Sequence, residues 1–306
     1  MRLAACLLIV IACGAAEDPI ARLRFADGVR RSLDDFDQRV LIVGWFCGDC
    51  PGSAHFLRTD GKSLHDAIET RKLPLSLVFV TPDKSPAQLA GYPADMGLTH
   101  ALFAHDPDNV ENISLRNTCS IHAMGTDGSR VRFFPSDQPF VESAISFAEG
   151  GSLRFPVEGL VDPRAIELWW QVENRRPQAM ATLTAAARKS AIKDEAARIL
   201  AVIQPAFTAR QDELVAAPAT IETYEAIERL LRDGEGLELK AAQARGKELA
   251  KAPELKDELA ARRIWQQCAA MAQSNKPAEQ AAAKDNLAKL AKKYPDTKYG
   301  RMAAGG

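Results

Sequence analysis

The chain has 306 residues, 39 of them basic and 40 acidic, for a net charge of −1, so no basic excess points to nucleic acid or to an acidic membrane surface. Its length favours one large domain or two ordinary ones, and a hydrophobic fraction of 46% suits a globular protein. Six cysteines are too few to staple a chain this long, and no second close pair or His-x-x-x-His spacing completes a zinc site, so neither a disulfide scaffold nor a metal or other cofactor is expected.

The N-terminus reads Met1-Arg2, then an almost wholly apolar Leu3 to Ala12, then Cys13-Gly-Ala-Ala. A basic start, an apolar core of about ten residues and small residues beyond it describe a secretory signal over residues 1–16. Two outcomes stay open. Val10-Ile-Ala-Cys13 is similar to the bacterial lipobox, in which the cysteine is lipidated; ordinary cleavage after Ala16 is the other. Either predicts an exported protein, periplasmic or lipid-anchored to a bacterial membrane. No other window supplies ~18 apolar residues, so the remainder is expected to be soluble.

Residues 20–46 read as a strand, a turn at Asp27-Gly28, a helical turn at Ser32-Leu-Asp-Asp-Phe36 and a central strand over Gln38 to Phe46. Residues 47–72 look helical, with an irregular middle at Asp60-Gly61. Leu73 to Val80 is a second buried strand, and Ser85-Pro86 caps a helix. Leu102 to Ala104 is a short strand, Asn109 to Leu115 a short helix, and Ser120 to Met124 with Val131 to Phe134 a hairpin around Thr126-Asp-Gly128. A helix over Phe140 to Ala148 completes a mixed α/β sheet with helices on both faces.

Gly150-Gly151-Ser152 and the Pro156 to Pro163 segment mark a boundary, beyond which Ala, Glu, Lys and Gln dominate and apolar residues recur at three and four. Asp162-Pro163 starts the first helix, and prolines at 177, 205, 218, 253, 277 and 295 punctuate roughly six to eight helices. The resulting division is an α/β domain over 17–150 and an all-α domain over 151–306. Asn286 to Tyr299 is similar to the end of a tetratricopeptide-like helix pair, without a clean period.

The chemistry concentrates in Val40-Leu-Ile-Val-Gly-Trp-Phe-Cys-Gly-Asp-Cys-Pro51. A buried strand ends at Cys47, and Cys50 follows three positions later, the placement of a redox dithiol. A helix beginning at Cys47 would put both thiols on one face and stabilise a thiolate at Cys47. Cys47 would then attack a substrate disulfide and Cys50 would resolve the mixed disulfide.

On Phe25-Ala-Asp-Gly28, Leu33-Asp-Asp-Phe36, Trp45-Phe-Cys-Gly-Asp-Cys50, Val78-Phe-Val-Thr-Pro-Asp83 and Thr126-Asp-Gly128, residues 20–148 resemble the thioredoxin fold, nearest its TlpA-like and AhpC/TSA-like branch. The resemblance implies Cys47 as nucleophile and Cys50 as resolving thiol. Two departures stand out. The loop where such reductases place a cis-proline carries Thr118 or Cys119, and Pro51 would disturb a helix started at Cys47. Thr118 and Cys119 are therefore the expected substrate-docking loop, with Cys119 either a small buried strand residue or a partner for an alternative disulfide with Cys47. Peroxiredoxins need a threonine three residues before the reactive cysteine; Gly44 stands there, against a peroxidase.

His55, His65, His100, His105 and His122 are scattered and read as surface or strand residues. Trp169-Trp170 reads as helix packing against the first domain rather than a partner patch, Cys268 as inert core, and the Asn112-Ile-Ser114 sequon is discounted in a bacterial setting. The expected function is thiol–disulfide exchange on protein thiols and disulfides, with the helical half positioning a protein partner. The alternative is a thioredoxin-fold binding or scaffold module without catalysis.

Overall fold

The computed structural model describes residues 18–36, 38–113, 119–126, 129–133, 140–272 and 276–305. The expected signal, including Cys13, lies outside the described residues, as do Thr118 and the Asp127-Gly128 tip of the hairpin. Among the described residues, no helix is long and apolar enough to cross a membrane.

Among the described residues six strands form one sheet: β1 (Arg24–Phe25), β2 (Val40–Phe46), β3 (Leu75–Thr81), β4 (Leu102–His105), β5 (Cys119–Met124) and β6 (Arg130–Phe133), in the order β1-β4-β3-β2-β5-β6. β2 runs parallel to β3, and β3 to β4; β5 is antiparallel to β2, and β6 to β5. Every residue of β2 and β3 is buried, which is why both read as continuous β-branched and aromatic runs rather than alternating ones. One sheet face packs Leu41, Val43, Trp45, Val78 and Val80 with Ile20, Leu23 and Phe36.

Between β2 and β3 the chain is helical throughout: α1 (Pro51–Phe56), a π-type turn at Leu57–Gly61, and α2 (Lys62–Arg71). The wide turn falls on the Asp60-Gly61 irregularity read in the sequence. α3 (Pro86–Leu89) opens on a capping box between Ser85 and Gln88, and α4 (Tyr92–Asp95) follows. The helix expected from Asn109 is absent over the described residues 109–113. Asn109, at φ 47°, instead accepts the Ile113 N–H at 2.7 Å and donates to its carbonyl at 3.0 Å, a local side-chain closure that competes with helical hydrogen bonding. The first strand is also shorter than expected, because Asp18 accepts the Ile20 and Ala21 N–H groups and turns that segment.

α5 (Phe140–Phe147) follows the hairpin, and among the described residues eight more α-helices come after it: α6 (Pro163–Glu173), α7 (Ala179–Lys189), α8 (Lys193–Ala216), α9 (Ile221–Asp233), α10 (Lys240–Leu249), α11 (Lys256–Ala272), α12 (Pro277–Lys293) and α13 (Lys298–Gly305). Asp162 caps α6 by accepting the Arg164 N–H, with Pro163 in its first turn. The chain packs as two compact units that divide between Ile199 and Leu200, within α8.

In the first unit, α6 is tied to the sheet by buried polar contacts. Arg39, just before β2, donates to the Glu173 carbonyl at 3.2 Å, to Asn174 Oδ1 at 2.8 Å and to the Leu75 carbonyl. Trp169 and Trp170 are buried as helix packing: Trp169 donates to the Phe155 carbonyl at 2.8 Å, and Trp170 faces His100 and Arg39.

In the second unit, Ile221, Ala261, Leu290 and Tyr299 form a core flanked by Ile264, Trp265 and Leu287. The turn between α12 and α13 closes tightly enough that a Cβ on Gly300 would lie 1.7 Å from the Tyr294 carbonyl oxygen. Gly300→Ala is expected to destabilise this unit by about 1–3 kcal/mol or more, because backbone rather than a mobile side chain must yield; urea unfolding followed by circular dichroism reads it.

Candidate active site

The site sits where β2 ends. Cys47 leaves the strand, Gly48 and Asp49 form a turn closed by the Cys50 N–H on the Cys47 carbonyl at 3.2 Å, and α1 begins at Pro51. This corrects the expected helix start. Cys50, at φ −90° and ψ 124°, is the capping residue, and Pro51 occupies the first helical position. A proline there gives up an N–H that has no intrahelical partner anyway, so Pro51 fits the helix start instead of disturbing it.

The shift of three residues redistributes the helix's free donors. The Ser53 N–H first, then the Gly52 N–H and the Ser53 hydroxyl, hold the Cys50 thiol below its ordinary value against the opposing effect of burial. Cys47 stands in the opposite condition. It is 4% exposed, and burial pushes its thiol up; the Asp49 N–H opposes this, while the Asp83 carboxylate, which accepts from the thiol, and Cys50 add to it. The expected thiolate stabilisation at Cys47 is thus found at Cys50.

Three residues outside the dithiol shape it. Ser53, 1% exposed, accepts the Cys47 N–H at 3.3 Å and also acts to lower the Cys50 thiol, so one residue serves both cysteines. Asp83 Oδ2 accepts the Gly48 N–H at 3.1 Å. Lys84 pairs with Asp49 and lies over Gly48, where a Cβ would meet its Cγ at 2.8 Å. The Thr81-Pro-Asp-Lys84 turn after β3 therefore holds the Cys-Gly-Asp-Cys turn after β2. Asp83 was legible in the sequence only as part of the Val78 to Asp83 match, and Ser53 carried no signal beyond its place in the first helical turn.

Cys119 lies elsewhere. It pairs with Phe46 across the β2–β5 ladder, and directly opposed residues point to the same face, whereas Cys47 packs with Trp45 on the other. Burial raises its thiol to about 12, so it is protonated at neutral pH. The small-strand-residue reading of Cys119 fits this register, and the alternative disulfide with Cys47 does not. Cys268 is likewise buried in α11 with its thiol raised by burial.

His122 shares the dithiol's face of the sheet. It pairs with Val43, its ring stands edge-on to Trp45 at 5.3 Å, and its Nε2 lies 3.3 Å from Glu111 and 3.1 Å from the Ser120 hydroxyl. Burial lowers it toward the neutral form. The other histidine grouping is remote in the fold: His65 and His100 stack at 5.6 Å, and Glu69 Oε1 lies 3.2 Å from His65 Nε2 and 2.9 Å from His100 Nε2. His65, Asp66 and Glu69 could together reach one metal ion, but the carboxylates are already occupied, Asp66 by Lys62 and Glu69 by the two imidazoles.

No protein-family model and no curated protein matches the chain. Solved structures similar to it include yeast Sco1, at 16% identity over 44% of this chain and 94% of that one, with a TM-score of 0.37. Peroxiredoxin Q of Xanthomonas campestris is 15% identical over 44% and 96%, with a TM-score of 0.33. A secreted Mycobacterium tuberculosis disulfide oxidoreductase, homologous to DsbE of E. coli, is 11% identical over 44% and 98%, with a TM-score of 0.34. The order β3-β2-β5-β6, parallel within its first pair and antiparallel after it, with the helix α1–α2 crossing between β2 and β3 and α5 after β6, is the thioredoxin-like arrangement, here extended by β4 and β1 and followed by helices.

Proposed function

We propose that the chain is an exported thiol–disulfide oxidoreductase that acts on protein thiols and disulfides through Cys47 and Cys50. One observation carries the reading: two free cysteines lie in a single turn at the end of the central strand, one of them at the capping position of a helix whose first N–H groups lower its thiol. A pair joined by one turn can close into a disulfide with little loop entropy to lose, and a helix N-terminus lowers the thiol pKa that sets exchange rate. In this reading residues 1–16 direct export, by cleavage or by lipid attachment at Cys13. The α/β domain over 17–150 carries the dithiol, and the helices of 151–306 position a protein partner. Thr118 and Cys119 are the substrate-docking loop in this reading.

The test is reduction of insulin by dithiothreitol, with and without the protein, together with equilibration of the protein in glutathione buffers. Wild type is expected to accelerate insulin precipitation and to form a reversible Cys47–Cys50 disulfide identified by peptide mass. Cys47→Ser is expected to lose the turnover. Equal rates for wild type and variant, with no Cys47–Cys50 disulfide at any glutathione ratio, would leave the binding-module reading instead.

A further inference from the structure

We propose that the order of attack within the pair is reversed: Cys50 is the thiol that attacks substrate, Cys47 resolves, and the Asp83 carboxylate receives the Cys47 proton. The inference rests on the dithiol reading above and assigns a role to each of its groups.

Access points to Cys50. Cys47 is 4% exposed and belongs to the apolar cluster under the sheet with Trp45 and Val80, whereas Cys50 is half-buried and packs only against the edge of that cluster. A sulfur that must meet a disulfide on another protein has to be the one that solvent reaches. The surroundings point the same way. Cys50 stands at the capping position of α1, where the Ser53 and Gly52 N–H groups and the Ser53 hydroxyl favour an anion. Cys47 instead lies beside Gly48, whose N–H holds Asp83 Oδ2 at 3.1 Å, and that carboxylate favours a neutral thiol. The direction of each thiol's displacement, Cys50 down and Cys47 up, agrees with these contacts.

The steps balance. The Cys50 thiolate attacks one sulfur of the substrate disulfide; that S–S bond breaks, a Cys50–substrate disulfide forms, and the departing substrate thiolate takes a proton from water. Cys47 then passes its proton to Asp83, and its sulfur attacks Cys50 Sγ. The mixed disulfide breaks, the Cys47–Cys50 disulfide forms, and the second substrate sulfur leaves as a thiolate that takes a proton from water, while Asp83 returns its proton to water. Two electrons have moved from the dithiol to the substrate, and the same path run backward oxidises a substrate dithiol. Asp83 is held for this by the Gly48 N–H on Oδ2, and its own N–H lies 3.3 Å from the Thr81 hydroxyl oxygen. The resolving thiol thus stays protonated and inert until the mixed disulfide brings it a target, and Asp83 is the acceptor beside it.

The experiment uses the reduced full-length wild type, so no variant need fold. Limiting iodoacetamide at mildly acidic pH is followed by peptide mass mapping, and labelling at Cys50 is expected to outrun labelling at Cys47 by about tenfold or more. Labelling of Cys47 ahead of Cys50 overturns the proposal. Asp83→Asn tests the second half. It is expected to leave Cys50 alkylation unchanged and to prolong the mixed disulfide formed with 5,5′-dithiobis(2-nitrobenzoate), read as delayed release of the second thionitrobenzoate. An unchanged release rate removes Asp83 from the step. If Cys50 labels first while glutathione produces no Cys47–Cys50 disulfide, the oxidoreductase reading falls and takes the resolving step with it.

Discussion

Arg39→Ala is expected to destabilise the first unit by about 3–5 kcal/mol, the cost of removing one partner from a buried charged set. Arg39 is 4% exposed and sits immediately before the central strand. Its guanidinium spans the Leu75 carbonyl at the start of β3 and the Glu173 carbonyl and Asn174 Oδ1 at the end of α6. Burial lowers its pKa to about 10, with Glu173 acting to raise it and Arg175 to lower it, so it remains charged at neutral pH and its removal strips a cation from the interior. The variant leaves three acceptors without this donor and withdraws a positive charge from beside Glu173, whose carboxylate is 2% exposed and takes the Arg154 and Phe155 N–H groups. Arg39→Met restores volume but not the donors, and is expected to recover only a minor part of the loss. Arg58→Ala, on the exposed side of the first helical stretch, serves as a control within about 0.5 kcal/mol. Thermal unfolding of the three variants checks the order, with a fall of roughly 10 °C expected for Arg39→Ala.

The parts of this architecture that were legible in the sequence are those governed by local chemistry. Val40 to Phe46 and Leu75 to Thr81 announced buried strands because both faces of each are covered. Ser85-Pro86 and Asp162-Pro163 announced helix starts because a cap followed by a first-turn proline has few other uses. The same rule was available at Cys50-Pro51. There it lost to the expectation that the first cysteine opens the helix, although the proline itself marked where the first turn begins. That displacement of three residues decides which sulfur the helix serves.

What the sequence did not disclose depends on register and on distant segments. Cys119 is, with Thr118, one of the two residues at the expected proline position, but only its pairing with Phe46 places it on the opposite face from Cys47. Asp83 and Lys84 reach the dithiol turn because β2 and β3 are parallel neighbours whose ends come level, Trp45 beside Val80. Arg39 and Glu173 lie 134 residues apart, and no spacing rule connects them. His100 read as one of five scattered histidines, yet it joins α2, the segment before β4 and α6 in a single cluster.

That cluster makes the first unit acid-sensitive, and His100→Gln is expected to relieve much of the effect. His100 Nε2 donates toward Glu69 Oε1 at 2.9 Å and Glu167 Oε2 at 3.2 Å, its ring lies against Trp170, and the His100 backbone N–H donates to His65 Nε2 at 3.2 Å. Burial first, then the charges of His65, Arg176 and Arg39, lowers its pKa to about 3 from an ordinary 6.5. The unfolded chain therefore binds a proton at this residue that the folded chain refuses. The contribution is fully present above about pH 6.5, and it is lost progressively as pH falls toward the folded value, at a slope of about 1.4 kcal/mol per pH unit. Glu69 works in the opposite sense: burial raises its carboxyl, the folded chain takes that proton first, and acid near its titration is partly offset. The net loss expected between pH 6.5 and pH 4 is about 2–3 kcal/mol. Glutamine keeps an N–H for the two carboxylates but cannot be protonated. Urea unfolding across this range is expected to give a flatter stability profile for His100→Gln than for wild type, and parallel profiles would place the acid sensitivity elsewhere in the unit.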